Sequence, residues 1–297
     1  MMPDTLVPCW LSWQRLRLLR RAGWVSRWQA LALLGLLGLQ SLQGAQAGRG
    51  CDEKQLSGSD LISAMTLAEK TRQTLEASGA QVALIARVGQ DLSKYRLRYS
   101  HMAFVWRDHP QGRWLVVHEL NHCGTAESAL YDEGLGNFFM DDLFAFETKI
   151  IIPGADSQAR LARVLASGLP LQLHSGHYNM LAHPFSTTYQ NSNQWVLEVL
   201  AAAQVAGAAG PAGGPRPGFD RAAAQAWLRH AGFRATTLHL STMTRLGARM
   251  FRANVAFDDQ PFDRRMAGEI DTTSVDAVVK FVLQREPEAS EIVLTLP

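Results

Sequence analysis

Apolar residues recur along the chain in two periods, and these periods predict the order of its elements. Spacings of three and four predict helices over 60–78, 156–167, 220–230 and 275–284, with a short helix over 133–142. Alternating or β-branched runs predict strands over 81–88, 97–106, 113–120, 148–152 and 237–240. The turn DHPQG makes 97–106 and 113–120 an antiparallel hairpin. We therefore predict an α+β fold, an antiparallel sheet packed against helices.

One stretch, FSTTYQNSNQWVLEVLAAA over 185–203, predicts a helix that begins near Ser192 and buries one face from Trp195 onward. Asn191, Ser192 and Asn193 are residue types that cap helices. A hydroxyl at this position feels the positive end of the helix dipole, where hydrolases often place a nucleophile. The sequence leaves two interpretations open: Ser192 only caps the helix, or Ser192 is a nucleophile.

The N-terminal region predicts export. Five arginines with one acidic residue precede the apolar run 30–39, and Ala45-Gln46-Ala47 is a small-x-small cleavage pattern. We predict a signal peptide over 1–47, cleavage after Ala47, a periplasmic or secreted product, and no stable membrane span after cleavage. The remaining segments are predicted as a core (48–205), a Gly/Pro-rich linker (206–219) and a C-terminal extension packed on the core (220–297).

Charge and cysteine content narrow the function classes. The chain has 29 basic and 27 acidic residues, and the leader holds 5 and 1, which leaves 24 and 26, a formal net charge of −2. Without a basic patch, nucleic acid is not an expected partner. Removing the leader also removes Cys9 and leaves Cys51 and Cys123, which are expected either to pair in an oxidising compartment or to remain as buried thiols.

The leading candidate chemistry is nucleophilic hydrolysis. His101 lies on a predicted strand, on the same face as Tyr99, and could act as general base for Ser192. His118 or Glu119 on the neighbouring strand could orient His101. Asn191 and Asn193, with Tyr99 and Glu119, are candidates for substrate or oxyanion contacts. The alternative is that His101 is a hydrogen-bonded structural histidine.

A second candidate is zinc, because His118-Glu119-Leu120-Asn121-His122 matches H-E-x-x-H. That motif requires a helix, whereas 113–117 is β-rich and Cys123-Gly124 follows at once. On a strand the two histidines would lie about 13 Å apart, too far to share a metal. No third ligand is specified by the motif, although Glu127, Glu133 and Glu147 are available. Zinc therefore stays an alternative, and the leading hypothesis requires no cofactor.

A third cluster, His174, His177, Tyr178 and His183, lies on a polar segment before the helix. It could bind a metal or line a pocket mouth beside Ser192. A polar surface is the simpler interpretation.

Three stretches carry a family resemblance: VALIARVGQDLSKYRLRYSHMAFVWRD, HELNHCGTAESALYDEGLGNFFMDD and AHPFSTTYQNSNQWVLEVLAAA. Together they resemble an uncharacterised bacterial family, domain-of-unknown-function family 2145, over about Cys51 to the C-terminus. The resemblance implies a secreted or periplasmic protein of Gram-negative bacteria without an established activity.

A more distant likeness is to circularly permuted papain-like enzymes related to NlpC-type cell-wall peptidases. Their order is a strand histidine, a polar residue on the next strand and a cysteine at a helix N-terminus. His101, His118 (or Glu119) and Ser192 match these positions, with serine in place of cysteine. The resemblance implies an amidase or esterase acting on cell-envelope peptides or acyl groups. The alternative is an inactive module that binds an envelope component or peptide.

Overall fold

A computed structural model describes residues 56–141, 143–208 and 218–296 of the chain. The predicted leader 1–47 and most of the predicted linker 206–219 lie outside the described residues, as does Cys51. Within the described part, none of the helices combines the length and apolarity that a membrane crossing requires.

Eight strands and nine helices are described, together with a short 3₁₀ turn at Ser93–Tyr95. The strands are β1 (Val82–Val88), β2 (His101–His109), β3 (Gly112–Asn121), β4 (Ser128–Gly134), β5 (Ala145–Ile152), β6 (Thr236–His239), β7 (Glu269–Thr272) and β8 (Ser290–Thr295). The helices are α1 (Gly58–Ser78), α2 (Leu135–Met140), α3 (Ala155–Leu165), α4 (Leu169–Gln172), α5 (Ser192–Ala208), α6 (Arg221–His230), α7 (Thr242–Phe251), α8 (Phe262–Ala267) and α9 (Val275–Arg285).

A six-stranded sheet in the order β4-β3-β2-β1-β5-β8 forms the centre of the fold. Every neighbouring pair in it is antiparallel, which confirms the predicted α+β class. All seven residues of β1 are buried, because helices cover both faces of the sheet. A separate two-stranded ribbon joins β6 and β7.

Alternate residues along a strand belong to two different hydrophobic cores, one on each face of the sheet. Val82, Leu84 and Ala86 pack with α3, α5, α6 and α9 on one face. Ala83 and Ile85 pack with α1 and α2 on the other. The period-2 pattern of the strands therefore produces a three-layer arrangement with the sheet in the middle.

The hairpin predicted around DHPQG is present, with Phe104 opposite Val117 and Asp108 opposite Arg113. The region predicted as a helix over 133–142 is different: the chain first completes β4 and then forms α2 from Leu135 to Met140. Pairing with β3 extends this strand through Gly134, so tertiary hydrogen bonds override the local helical spacing.

The C-terminal region contributes directly to the central sheet. Strand β8, which the sequence pattern did not predict, pairs with β5 from Glu147–Thr295 to Ile152–Ser290. Residues after the Gly/Pro-rich segment therefore complete the sheet, and the extension predicted over 220–297 is part of the same layered core.

A buried ion pair joins α5 to α6. The Glu198 carboxylate is fully buried and lies 2.8 Å from Nε of Arg221. Gln190 and Gln225 donate to the same carboxylate at 2.6 and 2.8 Å. Arg221 also donates to the carbonyls of Thr187 and Tyr189. Burial raises the pKa of Glu198, and Arg221 opposes that rise.

We expect Arg221→Ala to destabilise the protein by about 3–5 kcal/mol, because it leaves the Glu198 charge buried without its partner. The measurement is the free energy of unfolding from urea titration at neutral pH. Arg72→Ala is the matched control, since the Arg72–Glu69 pair is exposed and a surface pair contributes little. Equal shifts for both variants would contradict a structural role for the buried pair.

Candidate active site

The first turn of α5 is capped by Asn191. Its side-chain Oδ1 accepts the N–H of Gln194 at 2.8 Å, and its carbonyl accepts the N–H of Trp195 at 3.1 Å. Ser192 is therefore the first helical residue, and its hydroxyl is not the cap. Of the two interpretations open from the sequence, the structure excludes a capping role for the Ser192 side chain.

Asn191 and Asn193 use their amides to hold the helix in place. Asn193 Oδ1 accepts the N–H of Met102 in β2 at 2.9 Å. Its Nδ2 donates to the carbonyl of Thr273 at 3.4 Å, and Asn191 Nδ2 donates to Thr272 Oγ1 at 3.0 Å. The side-chain amides of both asparagines were expected to contact an oxyanion. Their N–H groups instead donate to other groups of the protein.

Ser192 meets the two strand histidines in a continuous line of short contacts. Ser192 Oγ lies 3.0 Å from Nδ1 of His101, and Nε2 of His101 lies 2.9 Å from Nδ1 of His118. Both imidazoles are buried, with His118 fully so. The structure therefore brings together the three residues that the sequence singled out for nucleophile, base and orienter.

Strand register explains this geometry. Phe104 lies opposite Val117, which puts Ala103 opposite His118 and makes His101 its diagonal neighbour on the same face. Tyr131 in β4 lies opposite His118, so Glu133 is the corresponding diagonal neighbour on the other side. Glu133 Oε1 lies 3.0 Å from Nε2 of His118. The approach is off the N–H axis, so this is a close electrostatic contact rather than a well-aligned hydrogen bond.

The charge of Glu133 and the contact between the two imidazoles favour one set of tautomers, which we assign from the network. Glu133 favours the proton of His118 on Nε2, which leaves Nδ1 of His118 as an acceptor. His101 then donates through Nε2 and presents an unprotonated Nδ1 to Ser192. A neutral imidazole with that nitrogen free is the form required of a general base.

An apolar and cationic environment surrounds the histidines. Phe138 of α2 lies beside both rings, at centroid distances of 6.0 Å from His101 and 5.7 Å from His118. The guanidinium of Arg87 lies over the same phenyl ring and pairs with Asp141. Burial lowers the pKa of His118, Arg87 lowers it further, and Glu133 opposes the change. His118 is therefore held neutral near pH 7.

Tyr178 reaches Ser192 from the polar segment before α5. Burial raises the pKa of its hydroxyl well above the ordinary value, the neighbouring Glu119 carboxyl adds to the rise, and a hydrogen bond with Ser192 opposes it. Of the four-residue cluster predicted on this segment, only Tyr178 contacts the site. His174 Nε2 bonds Ser128 Oγ at 3.1 Å, His183 bonds Asp259 through its backbone, and His177 is exposed.

Glu119 lies on the opposite face of β3 from His118, so it cannot orient His101. Its carboxyl group is fully buried, and its two oxygens have no well-formed hydrogen bond among the described residues. Burial raises the pKa of Glu119 to about 8, Ser128 lowers it somewhat, and Glu198 adds to the rise. At neutral pH Glu119 is therefore protonated in the folded protein.

Tyr99 is directed away from Ser192. Its hydroxyl donates to Oε1 of Glu147 at 2.6 Å, and Arg98 pairs with the same carboxylate. This bond ties the start of β2 to β5. The expected substrate contact is therefore replaced by a structural one.

The zinc alternative does not fit the local structure. His118 belongs to β3 and contacts His101 and Glu133, whereas His122 follows the strand and is exposed. Among the described residues, no group of three or more His, Cys, Asp or Glu side chains could hold a metal ion. Cys123, beside this motif, is disulfide-bonded, and its predicted partner Cys51 lies outside the described residues.

Glu133 is the site residue whose role the sequence did not indicate. The sequence pattern names it only as an available metal ligand. Strand alternation over Ser128–Gly134 was the available signal, since it places Tyr131 and Glu133 on the same face.

We expect stability to fall as pH rises from about 5 to 8, because Glu119 binds its proton more tightly when folded than when unfolded. The stabilisation by protonated Glu119 is complete below the pKa that this glutamate has in the unfolded chain. It is lost as the pH rises through about 8. Glu119→Gln should flatten this decline and be more stable than the wild type above pH 8. Urea titrations at several pH values measure it, and Glu127→Gln, an exposed neighbour, is the control. Parallel pH profiles for wild type and Glu119→Gln would contradict the assignment.

Comparison with known proteins places the chain in a family. No curated protein and no solved structure was found to match it. A family model described as an uncharacterised protein conserved in bacteria (DUF2145) matches residues 74–282, which is more than half of the chain and includes all the residues of the site described above. The chain therefore belongs to this bacterial family.

Proposed function

We propose that this protein is an exported serine hydrolase that cleaves amide or ester bonds in cell-envelope peptides or acyl groups. The observation that carries the proposal is the line of contacts from Ser192 Oγ to His101 and His118, with 3.0 and 2.9 Å between successive atoms. A nucleophile, a base within hydrogen-bond reach and a group that orients the base are the parts that acyl transfer requires.

The reaction follows from the assigned tautomers. Ser192 Oγ attacks the carbonyl carbon of the substrate while its proton passes to Nδ1 of His101. The resulting imidazolium is stabilised by His118, and through it by Glu133. His101 then gives the proton to the leaving amine or alcohol. Water, activated by His101, hydrolyses the acyl-serine and regenerates the hydroxyl.

The helix N-terminus supplies the oxyanion donors. Asn191 already accepts the N–H groups of Gln194 and Trp195. The N–H groups of Ser192 and Asn193, which precede them, are the helix donors left for an oxyanion. The helix dipole also stabilises an oxyanion here, because its positive end lies at this position.

The substrate class and the location rest on the order of residues and on the predicted leader. A strand histidine, a polar residue on the next strand and a nucleophile at a helix N-terminus resemble the papain-like arrangement of NlpC-type cell-wall peptidases. Serine in place of cysteine favours ester or amide hydrolysis by an alkoxide-like attack rather than by a thiolate. The predicted signal peptide would deliver this chemistry to the envelope.

A second candidate function, a module that binds envelope components without catalysis, is favoured by the closed state of the site. Ser192 is 6% exposed and His101 is 8% exposed, with Tyr178 against the hydroxyl. Hydrolysis requires the segment that carries Tyr178 to move from Ser192, whereas binding elsewhere on the surface does not.

We expect a fluorophosphonate probe to label the wild type at Ser192 and to leave Ser192→Ala unlabelled, because only an activated serine reacts with it. His101→Ala should slow labelling by about 10²–10⁴-fold through loss of the base. Intact-mass and peptide mass spectrometry locate the adduct.

Ser192→Cys is the matched variant that distinguishes a lack of reactivity at this position from a lack of access for the reagent. Rapid alkylation of this cysteine by iodoacetamide, slowed by a second substitution His101→Ala, would show that small reagents reach an activated position. Absence of fluorophosphonate labelling at Ser192 in the wild type would contradict the hydrolase and favour the binding module.

We expect Glu133→Gln to reduce the labelling rate by roughly 10-fold to 100-fold, because a neutral amide no longer fixes the His118 proton on Nε2. Stability should change little, since the Glu133 side chain is partly exposed. The measurement is the second-order rate of probe labelling across pH. Glu127→Gln makes the same chemical change away from the histidines, and equal rates for the two variants would contradict a role for Glu133.

A further inference from the structure

Helix α7 has an apolar stripe that faces solvent. Met243, Leu246 and Met250 recur at helical spacing and are 77%, 53% and 66% exposed. The opposite side of the helix packs inward through Ala248, against the small core that includes Leu238 and Ile270. This is the reverse of an ordinary surface helix, whose apolar stripe faces the core.

Helix α8 adds two more large apolar side chains. Phe262 and Met266, one turn apart, are 69% and 63% exposed. Arg245 of α7 donates to the carbonyl of Arg265 in α8, so the two helices are in contact. We call the five apolar residues of α7 and α8 the α7–α8 face. Five exposed large side chains on adjacent helices exceed the scattered apolar residues of a typical surface.

The charges on α7 are of one sign. Residues 241–252 contain three arginines, Arg245, Arg249 and Arg252, and no acidic residue. Arg249 is exposed and lies beside the apolar stripe on a helical projection. Arg245 donates to the carbonyl of Arg265, and Arg252 follows the last residue of the helix. The whole chain without its predicted leader has a formal net charge of −2, so this basic helix is a local exception.

We propose that the α7–α8 face lies on an anionic lipid bilayer. Leucine and methionine on one side of a helix, with an exposed arginine beside them, is the pattern of helices that insert their apolar side at the headgroup boundary while the arginine contacts lipid phosphates. At ten residues α7 is about 15 Å long, so it can lie in the interface but cannot cross the bilayer.

Charge favours this occupant over a protein partner or a second copy of the chain. A second copy would bring a like-charged α7 against the arginines, and like charges repel. An anionic bilayer instead offers negative charge and an apolar layer at adjacent depths. The proposal is independent of the Ser192 site, and it holds for an enzyme or for a binding module.

The test is co-sedimentation of the full exported protein with vesicles. We expect binding to vesicles of phosphatidylglycerol and phosphatidylcholine in equal parts to exceed binding to pure phosphatidylcholine by at least about tenfold, and to weaken at high salt. The double variant Met243→Glu, Leu246→Glu should lose binding, and Arg249→Glu should lose most of the preference for anionic vesicles.

Ile62→Glu is the matched control, because Ile62 is 69% exposed on α1 and lies outside the α7–α8 face. It should bind like the wild type, and all variants should keep the wild-type circular dichroism and melting temperature. Absence of vesicle binding, or equal loss for the control, would overturn the proposal. A wild-type dimer that Met243→Glu, Leu246→Glu converts to a monomer, without vesicle binding, would assign the face to self-association instead.

Discussion

The N-terminus of α5 is held by buried amide hydrogen bonds, and the geometry of the site depends on them. Asn191 binds its own helix through Oδ1 and Thr272 through Nδ2. Asn193 binds Met102 of β2 and the carbonyl of Thr273. A small displacement of the helix would leave several buried polar groups without partners, each at a cost of about 1–3 kcal/mol. Ser192, which lies between the two asparagines, is therefore fixed relative to the first residue of β2.

The rest of the chain supports that helix from the other side. One turn and a half into α5, Glu198 is bound to Arg221 of α6 and to two glutamines. Thr272, the last residue of β7, and Thr273, which follows it, accept hydrogen bonds from the two asparagines. Strand β8 extends the sheet beyond β5. Segments far apart in the sequence thus converge on one helix. The position of the Ser192 hydroxyl consequently depends on the C-terminal third of the chain as much as on the strands that carry the histidines.

The parts of the fold that could be predicted from the sequence are those determined by local pattern. The hairpin of β2 and β3 and the helix starting at Ser192 follow from period and capping residues, and they position His101 and His118 on one face. The role of Glu133 could not be assigned, because its contact with His118 depends on strand pairing. Tyr178 could be placed only in a cluster near Ser192, because its contact depends on the path of a long polar segment. Strand β8 could not be predicted for the same reason, because its alternating residues form a strand by pairing with the edge of β5.

Glu119 of β3 and Glu133 of β4 lie near the site on opposite faces of the sheet, and their environments give them different chemical roles. Glu133 remains partly exposed beside His118, where a carboxylate favours a proton on the histidine pair. Glu119 is fully buried on the side of Tyr178 and Ser192, and its raised pKa keeps it uncharged at neutral pH. A negative charge at Glu119 would repel an oxyanion forming beside Ser192, whereas the neutral acid does not. In the proposed hydrolase, the negative charge of Glu133 would lie behind the base, where it would stabilise the imidazolium formed during acyl transfer.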